Sequence, residues 1–494
     1  MKRWHLLGMA TALALVGTSA NAQMKDPLPD SLSLGGVTLY GTVDIGYAYQ
    51  SRGVPLNGQF PGGLEYQAFT TTRNFAGSVS TIAESGLEQS KIGVRVTEPI
   101  GNDFNLVARA ETGFNPLSGQ LTDACGSLAN NSSLKVGQQT ANADSSRCGQ
   151  AFNSMLWGGM SQTQLGQLTV GRHNSLQLDA LAQFDPQTLS YAFSFLGYSG
   201  FNGGAGSTQA GRWDNSARYG YQSGPLHLAI MYSNGGQDTG LLDKSFAGEL
   251  GINTEGLSVD LVYEKEKGAV NLRSSFDNGG VNPLTTSAGI GPTGAPLPPA
   301  GLAAYISTDT SWNLMAKYTG QLDQNDKITF YAGYSHIQKS HYDYTDGTAQ
   351  NSYAIDVGIN VNNPAVYNME WVGARWMAGP NLQLVAAYYH ITQNSWTIGL
   401  GTDGTQGVGC SAAGLLCAGH FDEASFVLDY VFNKHYDVYA GVNWSEVTDG
   451  LANGFPGCSA GAACTISTPS SANGAGTSGS EPSTTFMVGG RVKF

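Results

Sequence analysis

Five separated stretches of the chain start on an apolar residue, keep apolar side chains at every second position and reach an aromatic six residues on. They are Leu226/Leu228/Ile230/Tyr232, Leu257/Val259/Leu261/Tyr263, Ile328/Phe330/Ala332/Tyr334, Leu382/Leu384/Ala386/Tyr388 and Val438/Ala440/Val442/Trp444. Polar residues fill many of the alternate positions, among them His227, Ser233, Asp260, Thr329, Ser335, Asp437 and Asn443. A period of 2 writes strands with one oily and one wet face, and the constant offset holds the aromatics at one height. Lipid tolerates no unpaired backbone group, so a sheet standing between oil and water has to close on itself. The pattern therefore predicts an all-β, antiparallel transmembrane β-barrel with an aromatic girdle.

The first residues say where such a barrel goes. Lys2 and Arg3 precede an apolar run from Leu6 to Val16, and Ala20-Asn21-Ala22 offers small residues for cleavage. Residues 1–22 read as an export signal, with Gln23 as the mature start. No later stretch reaches the roughly 18 apolar residues of a membrane helix. Export and barrel strands together imply a Gram-negative outer membrane. Strand character runs from Gly36 to Phe494 without a change, so a short extension, 23–35, leads into one barrel domain, 36–494. The 67 glycines and 23 tyrosines suit turns, small inward positions and interfacial belts, whereas 12% charged residues is low for a water-exposed surface. A formal charge of −13 argues against a nucleic-acid partner.

Turn signals give the strand count. Short connections fall at Glu98 to Asn102, Gln162 to Gln164, Ser223 to Pro225, Asn253 to Gly256, Gly320 to Lys327, Ala378 to Pro380 and Phe432 to His435, and long polar stretches alternate with them. Short periplasmic turns and long extracellular loops, starting from a strand over Val37 to Tyr49, close at 16 strands. Phe486, Val488, Gly490, Val492 and Phe494 share one face of the last strand, which is expected to pair with the first.

Six segments in order carry a resemblance: Val37-Thr38-Leu39-Tyr40-Gly41, Ser90-Lys91-Ile92-Gly93-Val94, Glu111-Thr112-Gly113-Phe114-Asn115, Leu165 to Arg172, Asn215 to Tyr219 and Val488 to Phe494. The chain resembles the trimeric general porins of β-proteobacteria, the Neisseria and Burkholderia type. At the fourth strand, where that family usually carries an arginine, this chain reads Asn153-Ser154-Met155-Leu156-Trp157. The resemblance implies a homotrimer in outer-membrane lipid and lipopolysaccharide, passive passage of small hydrophilic solutes and ions, and a third loop, Asn174 to Gly211, folded into the lumen. It also makes the terminal Phe494 the signal read by the outer-membrane assembly machinery.

A 16-stranded barrel is too wide for side chains to fill and leaves a hydrated channel. Alternation points Lys91 and Arg95 inward from strand 2, Arg109 and Glu111 from strand 3, and Arg218 from strand 6. With Asp179 and Asp185 on the third loop they form a candidate constriction, a basic wall facing an acidic loop across the water. The plainer reading makes them wall ion pairs that stiffen the barrel. Arg375 and Arg491 read as wall residues. Two other functions compete with general diffusion: a substrate-specific duct, and a surface receptor or adhesin built on the loops.

Six cysteines permit 15 connectivities. Closeness in sequence favours Cys125 with Cys148, Cys410 with Cys417 and Cys458 with Cys464, all in external loops and exported to an oxidising compartment. Gly289 to Gly294 matches a nucleotide-binding glycine pattern without the strand and helix it needs. The histidines are scattered over the chain with no nucleophile at useful spacing, so no enzyme activity, cofactor or metal is expected.

Overall fold

The computed structural model describes residues 32–51, 78–122, 150–198, 211–235, 243–273, 303–324, 326–341, 364–394, 397–399, 407–409, 418–448 and 480–494. The export signal, all six cysteines and the Gly289 to Gly294 segment lie outside them. The barrel strands are β1 (Val37–Gln50), β2 in two segments (Val79–Glu84 and Lys91–Gly101), β3 (Phe104–Gly113), β4 (Met155–Gln162), β5 (Gly166–Asn174), β6 (Arg212–Ser223), β7 (Leu226–Ser233) and β8 (Ser245–Asn253). They continue with β9 (Leu257–Arg273), β10 (Ala303–Gln321), β11 (Lys327–His341), β12 (Ala365–Ala378), β13 (Leu382–Gln393), β14 (Gly419–Asn433), β15 (Tyr436–Thr448) and β16 (Ser480–Lys493).

Each strand pairs antiparallel with its neighbour, and β16 pairs with β1 through Val492↔Val43 and Gly489↔Gly46, so the 16-strand sheet closes. Phe494 and Gly41 exchange backbone hydrogen bonds of 2.9 and 3.1 Å at this seam. Leu32–Leu34 folds back on the start of β1. All seven short connections expected from the sequence join consecutive strands. No helix among the described residues is long and apolar enough to cross a membrane.

The two faces of the strands are inverted relative to a water-soluble fold. Leu226, Ile230, Tyr232, Leu261, Tyr263, Phe330, Tyr388, Val438 and Trp444 are exposed, while Ser233, Asp260, Thr329, Ser335, Asp437 and Asn443 are buried. Apolar residues outside and polar residues inside is the arrangement that lipid demands. Six residues of strand span about 20 Å, so the aromatics at the upper ends of β7, β9, β11, β13 and β15 mark one belt. Tyr318, Tyr430 and Phe432, exposed at the opposite ends, mark the other.

One helix of functional weight, α1 (Leu176–Phe184), follows β5 and lies inside the barrel. The Ser175 side chain accepts from Leu178 N at 3.1 Å as its N-cap, and a wall carboxylate, Glu264 Oε1, accepts from Gln177 N at 2.8 Å at the positive end of the helix. Leu176, Ala180, Leu181 and Phe184 form a single stripe buried in a core that also contains Val262, Met315 and Trp371 of the wall. Asp179 and Gln183 occupy the opposite side, away from that core.

Candidate constriction inside the barrel

Beyond α1, the loop runs across the lumen along the inner wall. Trp371 Nε1 donates to Phe184 O at 3.0 Å, and Arg375 donates to Pro186 O at 2.5 Å and to Thr188 Oγ1 at 3.3 Å. Gln187 Nε2 donates to Ser425 Oγ at 2.9 Å, and Asn443 Nδ2 to Ala192 O at 3.2 Å. The loop then meets the break in β2, where Ser190 Oγ and Ala192 N both donate to Gly86 O, at 2.7 and 3.0 Å. A short second helix, α2 (Phe195–Tyr198), follows, with Phe195 packed on Phe421 at 4.8 Å between centroids.

The sequence-predicted residues divide by their contacts. Arg218, on β6, makes an ion pair with Asp179 of α1 and so ties the loop to the wall. Burial would raise the Asp179 carboxyl, but the Arg218 guanidinium and the Asn174 amide, 2.8 Å from Oδ1, hold it below the ordinary range. Asp185 is buried; it accepts from Tyr389 OH at 2.5 Å, Leu189 N at 2.7 Å and Gln187 N at 3.2 Å. Its burial raises the carboxyl despite those bonds.

Three strands along the wall from Arg218, on β3, Arg109 contacts Glu111 Oε2 at 2.7 Å and donates from Nε to Tyr40 OH at 2.7 Å. Tyr40 OH in turn donates to the same Glu111 oxygen at 2.9 Å, and the guanidinium stands 5.2 Å from the Tyr40 ring centre. Tyr40, Gly93 and Glu111 are consecutive partners across β1, β2 and β3. A Cβ on Gly93 would collide with the Tyr40 ring, so the glycine is what lets the phenol cross one strand and reach the next. Lys91 pairs with Glu88 at 2.8 Å, and Arg95 is exposed.

Sequence reasoning missed Tyr40, although it stands in a quoted motif. It also missed Arg172, which donates to Asn153 O at 3.2 and 2.9 Å and to Asp214 Oδ1 at 2.8 Å. On β4, Trp157 stacks on His173 with centroids 5.8 Å apart. A cavity of about 600 Å³ lies beside the helix, lined by Arg109, Trp157, Asp179, Arg218, His227 and Glu249 among others. Both faces of the expected constriction, Arg109 and Arg218 on the wall and Asp179 on the loop, open on this one space. Arg491 is held by Asp437, Asp429 and Glu88 at 2.8, 3.1 and 3.8 Å as part of the wall. Arg375 does more than the sequence reading gave it, since it grips the loop backbone.

The barrel architecture and these residues can be set beside known proteins. Among solved structures, the anion-selective porin from Comamonas acidovorans matches with a TM-score of 0.53 at 15% identity, covering 93% of this chain and 99% of that chain. A loop L8 deletion mutant of OmpT, an outer membrane protein of Vibrio cholerae, matches with a TM-score of 0.49 at 11% identity, covering 94% of this chain and 100% of that chain. No curated protein matches the sequence. A sequence profile of the Gram-negative porins matches residues 10–363, well over half of the chain. With an inside-out closed sheet around a helix-bearing inner loop, the chain belongs to the Gram-negative porin family.

Proposed function

We propose that this porin filters its solutes at the gap between the polar face of α1 and the cluster of Tyr40, Arg109 and Glu111. As a Gram-negative porin the chain forms an outer-membrane channel for passive diffusion of small hydrophilic solutes and ions. The observation that carries the filter is that Arg109, Asp179 and Arg218 line one cavity. Lys91, Arg95, Arg109 and Arg218 are its cations and Glu111 and Asp179 its acids. Asp185, buried and triply hydrogen-bonded, positions the loop. Fixed charges of opposite sign on facing sides set a transverse field, and the basic side chains of the wall favour anions.

The test is a single-channel recording in a salt gradient. The wild-type reversal potential should have the sign of anion preference, and Arg218→Glu, which reverses one wall charge and repels Asp179, should move it toward cations. Unchanged conductance and ion preference in Arg218→Glu would remove that residue from the filter.

The same reading extends to assembly. The chain is a homotrimer of the β-proteobacterial general-porin lineage, embedded in lipopolysaccharide-bearing lipid. Residues 1–22 are cleaved on export, Phe494 at the seam is the mark recognised by the assembly machinery, and the cysteines close as 125–148, 410–417 and 458–464. Support comes from the ordered porin-like segments, the export pattern at Lys2 to Ala22 and the local cysteine spacing.

A further inference from the structure

His227 on β7, Gly251 on β8 and Asp260 on β9 are direct partners in one row across three strands. Strands two apart are separated by about 10 Å, yet His227 Nε2 and Asp260 Oδ1 stand 3.1 Å from each other. They meet because Gly251 leaves the space between them open; a Cβ there would collide with both side chains. Glu249, two residues along β8 on the same face, brings Oε1 to 3.6 Å from the same imidazole nitrogen. The three donor atoms all lie within 4.8 Å of one another.

We propose that His227, Glu249 and Asp260 hold a divalent first-row transition-metal ion in the channel wall, with Zn2+ the best fitted. Donor atoms bound to one such ion at about 2.1 Å stand about 3.0–3.4 Å apart in tetrahedral or octahedral arrangements; the separation of 3.1 Å falls within that range and that of 3.6 Å lies just above it. One imidazole nitrogen and two carboxylate oxygens suit zinc and its neighbours, whereas calcium asks for six to eight oxygens.

A second observation points the same way. Asp260 is 2% exposed, and its Oδ1 is aimed into the triad, where the groups that meet it are the His227 imidazole at 3.1 Å and the Glu249 carboxyl. An oriented, desolvated acceptor of this kind is unfavourable unless a cation meets it. Behind the imidazole, the Asn253 amide lies 3.3 Å from His227 Nδ1. The atom that faces Nδ1 is the amide nitrogen; a half-turn of the amide would bring its oxygen there to accept the Nδ1 proton and leave the Nε2 lone pair directed at the carboxylates.

The cations whose charge reaches this site are occupied elsewhere. Arg218, which acts on Glu249, pairs with Asp179, and Lys317, which acts on Asp260, donates to Gln183 O at 3.3 Å. His227 and Glu249 also line the cavity beside α1, so water or a passing solute can complete the coordination.

The experiment uses the folded, full-length barrel in detergent, stripped with a chelator and titrated with Zn2+ by calorimetry, then with Co2+ by visible absorption. Wild type should bind one ion per chain at this site, with Co2+ bands of nitrogen and oxygen coordination. His227→Gln and Asp260→Asn should each weaken binding by at least roughly 100-fold. Gly251→Ala should do the same by driving a methyl group between the ligands, while each variant keeps the heat-modifiable migration of a folded barrel. Failure of wild type to take up an ion overturns the proposal and leaves a histidine–carboxylate ion pair. Equal affinity in folded variants, or thiolate charge-transfer bands in wild type, likewise places any ion elsewhere and overturns it.

Discussion

Glycines in the middle of three-strand rows decide which side chains meet in this lumen. Tyr40 crosses Gly93 to reach Glu111, His227 meets Asp260 over Gly251, and Tyr439, lying over Gly489, donates to Asp44 Oδ1 at 2.7 Å across the closing seam. Gly93→Val should therefore displace the Tyr40 ring and cost about 1–3 kcal/mol, read as a lower midpoint in urea unfolding from lipid vesicles. Asp179 gives a prediction in pH. Its folded carboxyl is depressed, so the tie to Arg218 is fully present above the ordinary value of about 4 and is lost only as pH falls through the lowered one. The conductance difference between wild type and Asp179→Asn should persist from neutrality through about pH 4 and vanish only as pH falls through the lowered value. Alternation alone points Lys91, Arg95, Arg109, Glu111 and Arg218 inward, because a period of 2 assigns faces. Tyr40 and the His227 triad were not legible, since which side chains meet depends on register between strands distant in sequence and on a residue without a side chain.

The element that shapes the channel is the segment from Ser175 to Tyr198, and its seats are built into distant strands. Trp371 lies over Gly333 and donates to Phe184 O at 3.0 Å, Phe193 fits where Gly441 has no Cβ, and Pro186 fits against Gly373. Trp371→Ala opens a void of the kind that costs about 3–5 kcal/mol in a core. Here the loss should fall on loop docking: the barrel still folds, open-channel current noise rises, and amide exchange speeds up within residues 176–190. The sequence carried the helix signals in Ser175, the Leu176/Ala180/Leu181/Phe184 stripe and Pro186, yet a stripe does not name the surface it will meet. The break in β2 was likewise not legible. It depends on Asp44 of β1 accepting from Leu87 N and Glu88 N at 2.8 and 2.9 Å, with Ser85 at φ 58°, and no local pattern at Ser85 to Ser90 encodes that partner.

At the scale of the whole molecule, seven short turns, an even strand number and closure of β16 on β1 could all be read before any coordinates, because each follows from period-2 patterning and the prohibition of open edges in lipid. The same patterning predicts an inverted response to mutation. Leu250, Leu261 and Leu314 form an outward row across β8, β9 and β10, each exposed and flanked at its end by Tyr334 of the aromatic belt. On a water-soluble surface, exchanging an exposed leucine for lysine is close to neutral. In a bilayer the ammonium has no water to keep, and Leu261→Lys, two residues inside the Tyr263 belt, should lose up to roughly 2–4 kcal/mol, the cost at mid-depth. Reversible unfolding from lipid vesicles measures it directly, with lysine at Gln383, an inward-side position near the strand end, as the contrasting substitution that should change stability far less. A Leu261→Lys barrel as stable as wild type would mean that this face does not meet lipid, and the assignment of inside and outside would have to be reversed.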